Sequence, residues 1–165
     1  MISGGIGSLN FQSSDLVENT LDGEEIKESV PRLPEEVFGH CLVALEGGDL
    51  FQTGGMHLDL ASWPWQFTVA DKTHIFSART GEWKRGPDMP TSRFDLMCGL
   101  VTTQTGSQEV VAAGGRTPRL FSSDLDVVEI YSIHKTRWRT GTQNFPNVQI
   151  IFNMCIYYFF SQSFT

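Results

Sequence analysis

The sequence is short of positive charge: 12 Lys and Arg stand against 19 Asp and Glu, a formal net charge of −7. A protein held to phosphates by counterion release needs the opposite balance, so nucleic acid is not an expected partner. Cysteine is scarce as well, 3 in 165 residues, which excludes a disulfide scaffold, and the 16 glycines follow no triplet period, which excludes a collagen-like chain. No long hydrophobic run exists. The longest apolar stretch, 150–160, covers 11 residues and contains Asn153, well short of the roughly 20 that span a bilayer, so no membrane partner is expected. The first residues, Met1-Ile2-Ser3-Gly4-Gly5, carry neither a basic region nor an apolar one, which makes a reducing, cytoplasmic setting the expectation.

What is present argues for a folded chain. Hydrophobic residues make up 40%, and 12 Phe, 4 Trp and 3 Tyr supply more apolar area than a solvated chain keeps exposed. A length of 165 residues suffices for one core. Eight of the acids fall between Asp15 and Glu36, against Lys27 and Arg32, and read as a solvated surface.

Self-similarity decides the architecture. Gly-Gly pairs stand at Gly4-Gly5, Gly54-Gly55 and Gly114-Gly115, the last two each ending a short apolar strand (49–55 and 109–115). An aromatic-to-Trp spacing of seven follows, from Phe76 to Trp83 and from Tyr131 to Trp138. Hydrophobic-Pro steps at Leu33-Pro34, Met89-Pro90 and Phe145-Pro146 recur every 56 residues, and Cys41, Cys98 and Cys155 every 57. The unit is a strand with Cys, a strand ending in Gly-Gly, a long loop, a strand with the aromatic, a turn, a strand beginning at Trp, and a Pro loop. Four short antiparallel strands in roughly 55 residues make an all-β chain with the proportions of a propeller blade. Gly-Gly at a strand end permits positive φ and close backbone approach. The segments between aromatic and Trp predict hairpin turns, with Gly81 as the left-handed residue of the first copy. Each aromatic pair is expected to pack between sheets.

These residues resemble the Kelch repeat, whose blades carry a diglycine after the second strand and a Tyr and Trp about six residues apart. The resemblance implies an incomplete Kelch-type β-propeller of two to three four-stranded blades: 1–37 the trailing part of a degenerate blade, 38–93 and 94–147 two repeats, and 148–165 the first strand of a further, truncated blade. The first unit lacks an aromatic in its third strand and has Glu25 or Ile26 where Trp belongs. Propellers close with about 4 to 8 blades, so the chain reads as a piece of a longer propeller, with unpaired edges open to self-association. The resemblance further implies a non-enzymatic protein-binding scaffold, either the substrate-recognition part of a ubiquitin-ligase adaptor or an actin-associated scaffold. The alternatives are a truncated product without independent function and part of an oxidase-type propeller enzyme.

Propeller chemistries find little support. An Asp-box outline at Ser77 to Trp83 has Arg79 where Asp belongs. A copper-radical oxidase needs paired His ligands, whereas His40, His57, His74 and His134 are scattered. An iron-binding Glu-Asp-His series begins at Glu18 and Asp22 but meets Ile26. No catalytic residue, metal or cofactor is expected. The cysteines, at equivalent positions on inner strands, are read as small buried hydrophobes rather than disulfide partners.

Binding is assigned to loops. The longest, 56–72, holds Trp63, Pro64, Trp65 and Phe67, which either form an exposed anchor for a protein partner or fold back onto the sheet. The matching loop of the next repeat offers Arg116 and Arg119 around Pro118, suited to an acidic or carboxylate-bearing peptide.

Overall fold

The structure, a computed structural model, describes residues 33–57, 63–64, 66–117 and 125–141, together with backbone strand residues at 2–3, 16–19, 25–26, 58–59 and 151–152. It is all-β, and its sheets are antiparallel and open. Three short strands, β1 (Ile2–Ser3), β2 (Leu16–Asn19) and β3 (Glu25–Ile26), pair in sequence order. The next four-stranded sheet comprises β4 (Cys41–Ala44) and β5 (Leu50–Thr53), then, after the hairpin of β6 (Met56–Asp59) and β7 (Gln66–Val69), β8 (Thr73–Ser77) and β9 (Glu82–Arg85). A second sheet repeats the pattern with β10 (Met97–Thr102), β11 (Gln108–Ala113), β12 (Val128–Ser132) and β13 (Arg137–Thr140). On it β14 (Ile151–Phe152) adds a fifth strand, antiparallel to β10 at Gly99 and Leu100.

The repeat signature gives the cross-strand pairing that the sequence implies, but of the two aromatic pairs only Tyr131 and Trp138 pack between the two larger sheets. Phe76 lies directly across from Trp83, and Tyr131 from Trp138. Gly81 closes the first turn at φ 69°, and Thr136 holds the same place in the second at φ 51°. At the strand ends, a Cβ on Gly115 would come within 2.8 Å of the Phe94 carbonyl, and one on Gly55 within 2.9 Å of the His40 Cβ. Both glycines have positive φ, so a side chain is excluded there by conformation and by space.

The two larger sheets pack face to face. Val43 and Phe51 of the first meet Val110, Tyr131 and Trp138 of the second, while Leu50, Phe76 and Trp83 form a separate cluster on the first sheet's far side. Tyr131 is fully buried, its ring 4.9 Å from Phe51 and 5.3 Å from Trp138. The Trp138 indole N–H donates to the Pro87 carbonyl at 3.0 Å and to the Thr73 hydroxyl at 3.2 Å, both from the other repeat.

Arg93, in the connection from β9 to β10, binds both sheets. Its carbonyl accepts from Gly55 N–H of the first at 2.9 Å. Its guanidinium donates to the carbonyls of Gly114 and Val127 in the second, each at 2.9 Å, and to the Glu129 carboxylate at 2.7 Å. Glu129 takes a further bond from Thr91. Both side chains are almost wholly buried, 0% and 2% exposed, which is tolerable because each charge meets the other and the remaining donors find carbonyls.

One expectation is overturned. Cys41 and Cys98 form a disulfide, with Cα atoms 5.9 Å apart. The reason is a register slip of one residue. Cys41 pairs with Thr53, the residue before the first Gly-Gly, whereas the residue pairing with Ala113 before the second is Met97, and Cys98 pairs with Ala112. A slip of one sends a side chain to the opposite face. The cysteines therefore stand on facing sides of adjacent sheets instead of occupying equivalent sites. Closing 57 residues of chain, the bond contributes about 4 kcal/mol by chain-entropy arithmetic.

Arg93→Met is expected to lose about 3–5 kcal/mol, because Glu129 would be left buried without its partner. Combining it with Glu129→Leu should restore most of the loss. Urea unfolding followed by Trp fluorescence measures both, and equal losses in the single and double variants would contradict the pairing argument.

Candidate protein-binding rim

Long connections gather at one end of the two sheets. The turns at the other end are short: 46–48, 78–81, 103–107 and 133–136. At the long-loop end lie the Gly-Gly strand ends, the β6–β7 hairpin and the connection that carries Arg93. The hairpin is a departure from the plain loop expected at 56–72. Its arms MHLD and QFTV place Met56 across from Val69 and Leu58 across from Phe67, pairs of strand-favouring residues that outweigh the aromatic, Pro-containing centre.

The Trp63–Pro64 peptide, which is cis, lies between the arms. Trp63 is 86% exposed and Phe67 on β7 is 47% exposed, so neither side chain folds back onto the sheet. Trp65 and Arg119 lie outside the described residues. Arg116 is exposed, one residue beyond the second Gly-Gly, at the base of the matching loop. A further apolar side chain on this rim, Met97 at the start of β10, is 60% exposed. Its isolated position carries no sequence signal.

A ladder of main-chain bonds roots these features. Phe38 and Met56 exchange both hydrogen bonds, at 3.0 and 2.8 Å, which anchors the hairpin to the segment before β4. Phe94 and Arg116 exchange the same pair, at 3.0 and 2.8 Å, in the second repeat. Asp95 N–H donates to the Gly39 carbonyl at 2.8 Å and joins the two roots. Asp95 has φ 53°, a left-handed conformation that Asp tolerates better than most residues. Its carboxyl lies against Gly39, and burial raises its pKa, with the Arg116 guanidinium lowering it part of the way back. At the outer edge Lys72 pairs with Glu35, and the His57 ring bonds the Glu36 carbonyl at 3.1 Å.

Histidine behaviour here follows from burial. His40 stands beneath the rim with Nδ1 3.2 Å from the Val37 carbonyl, and burial lowers its pKa to about 4 despite that bond. His74, bonded to Gln52 at 2.9 Å, is shifted in the same direction, chiefly by burial. Among the described residues no group of three His, Cys, Asp or Glu gathers in a metal-holding arrangement, and no helix is long and apolar enough to cross a membrane. No family model and no curated protein matches the chain.

Neutral His40 is the folded form, while the unfolded chain takes up its proton near pH 6.5. Its contribution to stability is therefore complete above about pH 6.5 and is lost as the pH falls toward 4. Asp95, shifted upward, acts in the opposite sense over the carboxylate range. Between pH 7 and 4 the wild type should lose about 3 kcal/mol more than His40→Gln, read from urea midpoints at each pH. Parallel losses in the two proteins would remove His40 from the account.

Proposed function

We propose that the chain is a non-enzymatic protein-binding module of Kelch-like repeats, which captures its partner at the rim that carries Trp63, Phe67 and Arg116. The observation that carries this reading is the exposure of two large aromatics on a hairpin whose base is fixed to a rigid pair of sheets. Solvated Trp and Phe side chains cost solubility, and Trp is the residue type most enriched among interface anchors. Arg116, exposed at the base of the matching loop of the second repeat, suits a partner with acidic or carboxylate groups. The Kelch-like spacing of Gly-Gly, aromatic and Trp, with four antiparallel strands to each repeat, supports a propeller blade as the unit. It points to the recruiting role of a ubiquitin-ligase adaptor or of an actin-associated scaffold. A reducing setting would make the Cys41–Cys98 bond transient, whereas an oxidising compartment would keep it formed.

Trp63→Ala combined with Phe67→Ala should weaken capture of the partner by tenfold or more while leaving the circular dichroism and the thermal midpoint unchanged. A photo-crosslinking residue at Thr68, followed by mass spectrometry, identifies what is captured and where. Undiminished capture by the double variant, or its unfolding, would overturn the assignment of the rim.

A further inference from the structure

We propose that the Cys41–Cys98 disulfide is a reversible redox control on this rim. Oxidised, it holds the Trp63 hairpin in fixed relation to the Arg116 loop; reduced, it lets them move apart. The proposal rests on the reading of the rim as the binding surface.

The geometry couples the sulfurs to both loops. Cys41 follows Gly39 by two residues and Cys98 follows Asp95 by three, so the disulfide lies next to the Gly39–Asp95 hydrogen bond that joins the two roots. From Gly39 the connection runs through Phe38 to Met56 and the hairpin, and from Asp95 through Phe94 to Arg116. Without the covalent bond, the junction is held by main-chain hydrogen bonds alone, Asp95 N–H to the Gly39 carbonyl, Gly55 N–H to the Arg93 carbonyl and Arg93 N–H to the Ala70 carbonyl, each of small net contribution. The sheets themselves stay joined by contacts that do not involve sulfur: Phe51 on Tyr131, Trp138 on Pro87 and Thr73, and Arg93 on Glu129. Reduction thus loosens the rim and leaves the cores docked.

Access is one-sided. Cys41 is 2% exposed, whereas Cys98 is only partly buried. A dithiol reductant attacks the Cys98 sulfur as its thiolate, the S–S bond breaks, and Cys41 leaves as a thiolate that takes up a proton. The second thiol of the reductant then displaces Cys98, so that the reductant ends as a cyclic disulfide and the protein as two thiols. A small-molecule disulfide of the glutathione class reverses the exchange.

Hydrogen exchange with mass spectrometry on the full chain, oxidised and after treatment with dithiothreitol, tests this. Reduction, verified by thiol count, should speed exchange at the amides of Phe38, Met56, Phe94, Asp95 and Arg116 by at least tenfold, with Val111 and Tyr131 unchanged. Cys41→Ser with Cys98→Ser should show the fast rim in both conditions; should that variant fail to fold, the two states of the wild type decide. Unchanged rim amides would overturn the proposal. So would a uniform rise across both sheets, which marks a purely structural staple, or a folded chain that dithiothreitol does not reduce. The readout needs no partner, so a fast rim combined with undiminished capture by the Trp63/Phe67 variant would condemn the binding assignment alone. A silent rim with lost capture would condemn the redox control alone.

Discussion

Arg93 belongs to two sheets at once, and the docking of one on the other follows from that. Its main chain is bonded at the Gly-Gly end of the first sheet, while its guanidinium lies inside the second against Glu129, Gly114 and Val127. A buried guanidinium leaves little freedom, since any displacement strands a charge in a medium that solvates it poorly. The connection from β9 to β10 is held in one path, and the residues that follow it are delivered to fixed places: Phe94 against Arg116, Asp95 against Gly39, Cys98 against Cys41.

Within that frame the nonpolar contacts supply area and the polar ones supply position. Phe51, Tyr131 and Trp138 fill the space between the sheets. The Trp138 indole and the Arg93 guanidinium, each with bonds to the opposite repeat, set how the sheets are turned on one another. The short turns lie at one end of this assembly and the hairpin with its exposed aromatics at the other. Long loops with exposed side chains carried at one end of a packed scaffold are where proteins commonly place recognition.

Much of this was legible in the residues. Strand ends, hairpin turns and the two aromatic-Trp pairs follow from spacing alone, because a blade-like unit needs them at fixed offsets. The disulfide was also encoded, in the difference between a 56-residue step for Pro34 to Pro90 and a 57-residue step for Cys41 to Cys98. Taken as equivalent positions, the cysteines pass for stacked core residues; the extra residue turns them face to face. The Arg93–Glu129 pair was beyond the reach of repeat logic, because Val37 and His74 occupy the corresponding places in the first repeat. The β6–β7 hairpin was hidden by its centre, where Trp, Pro and Trp obscure the strand pattern of the arms.

The central claim is that two repeat sheets dock with a one-residue offset that brings Cys41 opposite Cys98. Peptide mapping of the folded chain under non-reducing conditions, with free thiols blocked before digestion, tests it most directly. The account predicts a linked pair of peptides containing Cys41 and Cys98. A folded, oxidised chain in which those two thiols are free, or in which either is joined to Cys155, would contradict it.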